Sequence, residues 1–136
     1  MVRIPNEVLK LLNDDRATKV VATKTPEGHV HAIIVGSVSA PDPDTIVFGT
    51  LIMRKTSENL RWMKEKGELA AVLVAKDIVS YEVRCRITRQ SREGPELDLM
   101  NEKLAPMGLK MTSVWYLEPV EVWDQGASYK AGSRVV

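Results

Sequence analysis

Residues 45–67 read TIVFGTLIMRKTSENLRWMKEKG, and the fold turns on how they are read. The stretch opens with β-branched and aromatic residues, Ile46 to Gly49, in the manner of a strand. It closes as a helix from Thr56 to Lys66, ended by Gly67 at the C′ position that favours glycine. Between them stand Arg54, Lys55, Thr56 and Ser57. A helix start exposes unpaired N–H groups and the positive end of the macrodipole. Two cations and a hydroxyl beside it make a site for a phosphate dianion. The plainer reading has Thr56 or Ser57 as an N-cap, with Arg54 and Lys55 as solvated loop charges. These residues alone leave both readings open.

Before this stretch, PNEVLKLLN (5–13) reads as a short helix that Asn6 caps, with Ile4, Val8, Leu9 and Leu12 on one face. ATKVVATKT (17–25), the turn Pro26-Glu27-Gly28 and HVHAIIVGSVSA (29–40) read as two strands of a hairpin. Gly36 lies inside the second strand and marks either a bulge or the close approach of a ligand. His29 and His31 share a face at the hairpin mouth, and no third ligand stands near enough in sequence for a metal site. Pro41-Asp42-Pro43-Asp44 reads as a turn.

After it, LAAVLVAK (69–76) is a continuous apolar run and reads as a strand buried on both faces. VSYEVRCRIT (79–88) alternates strictly, with Val79, Tyr81, Val83, Cys85 and Ile87 on its apolar face. ELDLMNEKLA (96–105), with Pro95 in its first turn, reads as a helix. Met111 to Val122 reads as the last strand, and Trp115, Leu117 and Trp123 share its parity. The sum is a mainly β chain, a single domain over 1–136, whose consecutive antiparallel strands predict a six-stranded barrel of Greek-key type.

Composition excludes several classes. Lys and Arg number 19 and Asp and Glu 18, so the formal charge is +1. This near-neutrality argues against a general nucleic-acid or anionic-membrane binder. One cysteine, Cys85, allows no internal disulfide and no Cys/His metal cluster. Neither a secretory h-region nor an apolar run of membrane-spanning length is present, which predicts a cytoplasmic protein. GxGxxG, GxxxxGK[ST], HExxH and GxSxG are all absent. No catalytic residue and no metal ligand is assigned. Chemistry, if any, falls to a bound cofactor.

The order of parts resembles the pyridoxamine phosphate oxidase-like, FMN-binding split-barrel proteins from about Ala17 to Val122. Three stretches carry the likeness: VVATKTPEGHVHAIIVGSV, FGTLIMRKTSENLRWMKEKGELAAVLV with its RKxxNL segment, and SVWYLEPVEVWD. The resemblance implies FMN, its phosphate held by Arg54, Lys55 and Thr56, with Asn59 assisting or holding the loop. It implies that Val35, Gly36 and Ser37, with Gly49 and Thr50, line the ring or ribityl chain. It further implies a homodimer with flavin between subunits, where Trp115 or Trp123 could reach the partner's flavin, and an oxidoreductase or electron carrier serving a small-molecule substrate or redox partner. Related split barrels take a deazaflavin or haem instead. The R-x-H substrate motif of true pyridoxamine phosphate oxidases is absent here, since no histidine follows His31. A small barrel that binds a protein or nucleic-acid partner through Arg54, Lys55, Arg61, Lys64 and Lys66 is the reading from another class.

Overall fold

The computed structural model describes residues 2–51 and 53–136. Within them one antiparallel sheet holds the strands β1 (Thr18–Lys24), β2 (Val30–Ile34), β3 (Ser39–Asp42), β4 (Thr45–Thr50), β5 (Leu69–Lys76), β6 (Val79–Ser91), β7 (Ser113–Asp124) and β8 (Ser133–Arg134). Three helices accompany it: α1 (Asn6–Leu12), α2 (Arg54–Lys66) and α3 (Pro95–Leu104). The strand order is β2-β1-β5-β6-β7-β4-β3, with β8 added beside β7. β4 leads through α2 to β5; β5, β6 and β7 are successive neighbours; and β7 returns to lie beside β4, which is a Greek-key arrangement.

The count of eight strands corrects the expected six: β8 in the tail adds one, and a break at Gly36 adds the other. The apolar run 29–40 is not one strand. It breaks at Val35–Val38, and its halves β2 and β3 lie at opposite edges of the sheet. The link from Ile34 to Ser39 can reach at most about 18 Å, so the two edges are drawn together and the sheet rolls into a barrel split between them. The bend is anchored from β1. The Val35 N–H donates to the Lys19 carbonyl at 2.9 Å, and Lys19 Nζ donates to the Val38 carbonyl at 2.9 Å. Lys19 is buried, and its desolvation pulls the ammonium pKa below the usual lysine range.

The barrel interior is filled by the inward residues of alternating strands, among them Val21, Val72, Val83, Cys85, Phe48, Trp115 and Leu117. Helix α1 plugs it with Val8 and Leu12. Pro5, not Asn6, occupies the N-cap of α1, without a side-chain cap bond. Helix α2 lies across β1, β5 and β6, and buries Leu60 and Met63. It ends as the sequence requires, with Gly67 left-handed at φ 71°. A second cluster, Val47, Leu97, Met111, Val114 and Tyr116, lies where α3 covers the outer face of β4 and β7.

Two further expectations change. The run Leu69–Lys76 alternates buried and half-exposed residues, so one face of β5 is open in the single chain. Its outward residues are as apolar as its inward ones, which hides the period. On β7, Arg84 pairs with Glu121 while the next residue, Cys85, pairs with Pro119, so Val120 is an extra residue. Such a bulge flips the faces beyond it. Val122 is therefore fully buried, and Trp123 turns away from the face of Trp115. No helix among the described residues is long and apolar enough to cross a membrane.

Candidate functional site

The junction of β4 and α2 forms the site. The helix starts at Arg54, two residues earlier than the sequence suggests, so Arg54 and Lys55 belong to its first turn. Met53 occupies the N-cap and contributes no side-chain cap bond, and the first turn contains no acidic residue. The plain capping reading of Thr56 and Ser57 is thereby excluded. Both lie inside the helix and both are buried. Among the described residues the first N–H groups of α2 have no side-chain partner, and they lie beside two exposed cations. Among the described residues, neither Arg54 nor Lys55 makes an ion pair.

The two cations face different neighbours. Lys55 lies toward the β1–β2 turn, where Glu27 is held below the usual carboxylate range. Hydrogen bonds from the Glu27 backbone N–H and from Thr25 do most of this, and the charge of Lys55 adds to it. Arg54 lines a cleft of about 250 Å³ at the end of the barrel, between the first turns of α2, the end of β6 and the start of β7. Ser57, Arg61, Gln90, Arg92 and Ser113 line the same cleft, with Glu58 as its one carboxylate.

The expected site residues divide. Ser37 and Gly49 meet: the Gly49 N–H donates to Ser37 Oγ at 3.0 Å, and the Ser37 hydroxyl reaches the Gly49 carbonyl at 3.3 Å. Gly36 is exposed, and a Cβ placed there would meet nothing within 4 Å. Thr50 stands at the cleft and shares a 2.6 Å hydrogen bond with Ser113. Of these residues Thr50 and Arg54 line the same cleft. Val35 is not part of its surface, because its side chain is 2% exposed and packs in the core. Gly49 is open for a different reason than a ligand. A Cβ there would lie 2.9 Å from Met100 Sδ and 3.0 Å from Met111 Cγ, so the glycine admits the side chains beneath α3.

Asn59 takes up a positioning role. It is 1% exposed, its Nδ2 donates to Thr23 Oγ1 at 3.1 Å, and its Oδ1 has no partner among the described residues. It ties α2 to β1 and does not reach the cleft surface. Trp115 is also inward, 1% exposed, with its indole N–H donating to Ser57 Oγ at 3.2 Å. A ring so enclosed offers no face to a flavin. Trp123 lies at the far end of β7 from Ser113, stacked by the Arg84 guanidinium at 4.8 Å and bonded to Glu121 at 3.2 Å. Within one chain it stands apart from the α2 start.

The sequence reading missed Gln90, Arg92, Thr112 and Ser113 as cleft residues and treated Arg61 as a surface charge. Nothing local marks them. β6 runs three residues beyond the point where its alternation looks finished, and this carries Gln90 to the cleft. His29 is exposed and His31 half-buried, and no group of three His, Cys, Asp or Glu gathers among the described residues.

No protein-family model and no curated protein matches the chain. Solved structures do. HupZ of Group A Streptococcus superposes with a TM-score of 0.74 at 15% identity, over 95% of this chain and 99% of that one. The fold is that of the pyridoxamine phosphate oxidase-like split barrels. An FMN-binding protein from Syntrophomonas wolfei superposes at 0.73 and 17% identity, over 90% of this chain and 88% of its own. A protein from Clostridium acetobutylicum related to general stress protein 26, of the pyridoxinephosphate oxidase family, superposes at 0.65 and 11% identity, over 89% and 87%. At such identities the likeness is one of fold.

Proposed function

We propose that this split barrel is an FMN-binding flavoprotein, an oxidoreductase or electron-transfer protein, that works as a homodimer. The observation that carries the reading is the start of α2. It is an uncapped helix terminus without acidic residues, flanked by Arg54 and Lys55, in a fold that an FMN-binding protein shares. Such a terminus suits a phosphate dianion, because the N–H groups and the dipole favour negative charge and Arg grips two oxygens at once.

In this reading Arg54, Lys55 and the first N–H groups of α2 hold the phosphate. The bend at the exposed Gly36 gives the rest of the cofactor a surface without side-chain obstruction. Asn59 holds α2 in place through Thr23, and thus aims the phosphate site. Bound there, the isoalloxazine ring would supply hydride or single-electron transfer.

The dimer rests on the outer face of β2, β1 and β5. Paired residues share a face, so Ile34, Val20 and Leu73 form one row and Ala32, Ala22 and Ala71 the next. Val30 and Ile34 are 81% and 74% exposed. Beyond β5 the same rows continue into Arg84 and Glu82 on β6. An apolar centre with a charged rim is the anatomy of a self-complementary interface, and a second copy of this chain is the occupant proposed for it. The experiment for the cofactor is retention: protein purified under native conditions, or offered excess FMN and desalted, keeps the flavin and quenches its fluorescence. Failure to do either removes the reading.

A further inference from the structure

Lys19 is the one buried charged side chain among the described residues, and what it holds is a turn. Val35–Val38 form the turn at which the run 29–40 breaks, with Gly36 and Ser37 at its corner. The turn's own closing bond, from the Val38 N–H to the Val35 carbonyl, is 3.5 Å, at the long limit of a hydrogen bond. Lys19 grips both ends instead. Its carbonyl accepts from the Val35 N–H at 2.9 Å, and its Nζ donates to the Val38 carbonyl at 2.9 Å. Among the described residues no carboxylate pairs with this ammonium, and nearby Asp14 is held by Lys76 at 2.7 Å. Burying an unpaired ammonium costs stability, and an apolar side chain of the same length would fill the place without that cost. The amine is therefore there for the turn.

The turn is tied in two directions. Its corner faces outward at Gly36, where the backbone is not left-handed and an added Cβ would meet nothing within 4 Å. Among the described residues nothing calls for glycine there, and a bare corner that the chain does not itself require suits the close approach of a ligand. From the same corner Ser37 Oγ accepts from the Gly49 N–H at 3.0 Å and donates to the Gly49 carbonyl at 3.3 Å. The next residue, Thr50, lines the cleft beside Arg54. A chain of bonds thus runs from Lys19 through the turn to the end of β4. We infer that Lys19 is a positioning residue for the cofactor: by clamping both ends of Val35–Val38 it fixes the Gly36 corner, which receives the ring system, relative to the cleft at the start of α2. What lies on the corner rests on the FMN reading, whereas the clamp follows from the bonds alone.

The test uses Lys19→Met, which removes the amine, Ser37→Ala, which cuts the tie to Gly49, and the double variant. Each is titrated with riboflavin and FMN by flavin fluorescence, and amide exchange is followed by NMR in the flavin-free protein. Lys19→Met should weaken both flavins by about tenfold, the scale of one hydrogen bond to a charged group. Ser37→Ala should weaken both by a smaller factor. The ratio of FMN to riboflavin affinity should stay at its wild-type value in both variants, because α2 is untouched. The double variant should bind within about twofold of Lys19→Met, since changes that act through one turn do not add. Exchange at the Val35 and Gly49 amides should quicken in Lys19→Met. Should Lys19→Met not fold, Lys19→Gln, whose amide ends short of the Val38 carbonyl, takes its place. Wild-type riboflavin affinity in Lys19→Met, or factors that multiply in the double variant, would overturn the positioning role. A loss confined to FMN would overturn it too, by placing Lys19 on the phosphate side. A wild type that binds no flavin removes the FMN reading and leaves the clamp to the exchange data: faster exchange at Val35 and Gly49 in Lys19→Met upholds it, and unchanged exchange overturns it.

Discussion

Replacing Arg54 and Lys55 together by alanine should remove most of the preference of this protein for FMN over riboflavin. The two ligands differ only by the phosphate, so the ratio of their affinities isolates what the start of α2 contributes. Both side chains are exposed in the structure, and neither is engaged in an ion pair among the described residues. Each is therefore free to meet the ligand, but in a solvated setting. A hydrogen bond to a charged group contributes about 1.5–3 kcal/mol, and exposure places these two at the lower end. Their joint loss is then about 3 kcal/mol, or about 150-fold in Kd at 1.36 kcal/mol per tenfold. The helix N–H groups remain in the double variant, so FMN should still bind a few-fold better than riboflavin. The assay is quenching of flavin fluorescence at fixed ionic strength, with circular dichroism to show that α2 is retained. Equal weakening of both flavins would mean the residues act on the ring or on the fold. Equal binding of FMN and riboflavin by the wild type would refute the phosphate site at once.

Three other outcomes follow from particular contacts. Asn59→Leu loses the bond to Thr23, about 1 kcal/mol, but also removes the orphaned Oδ1, whose burial costs about 1–3 kcal/mol; its urea midpoint should hold or rise, and a clear fall would show that Oδ1 has a partner. Ile34→Asp puts a charge into the outer apolar face at a position 74% exposed, so it should give a folded monomer in sedimentation, and a variant that stays dimeric would move the interface elsewhere. Cys85 is fully buried, and burial pushes its thiol pKa upward from 9.0, so above pH 9 the unfolded chain ionises this thiol while the folded chain does not. Stability should fall there by about 1.4 kcal/mol per pH unit more than in Cys85→Val, and parallel pH curves for the two proteins would contradict the assignment.

Much of this fold is written locally. The alternation of Val79 to Ile87 gives β6, the Pro26-Glu27-Gly28 turn gives the first hairpin, and Gly67 ends α2 where it should. What the sequence hides is set by contacts far apart in the chain. Residues 29–40 read as one strand because an apolar run shows no break, and the break is imposed by closure of the barrel and by Lys19, a charge on a strand with no local sign that it turns inward. The bulge at Val120 is likewise invisible locally, and it reverses the face of Trp123. In the site, Arg54 and Lys55 were legible from helix-start chemistry. Gln90 and Ser113 were not, because their significance depends on bonds that span 29 residues to Arg61 and 63 to Thr50.

The central claim is that this barrel carries a flavin mononucleotide at the start of α2. It is tested most directly by the visible absorption spectrum of the protein as purified, with the released chromophore identified by mass. A two-banded yellow spectrum and the mass of FMN are the predicted result. A single-banded deazaflavin or a haem spectrum would contradict the choice of cofactor while leaving the barrel in place. A colourless protein that also refuses added FMN would contradict the account of Arg54 and Lys55 themselves.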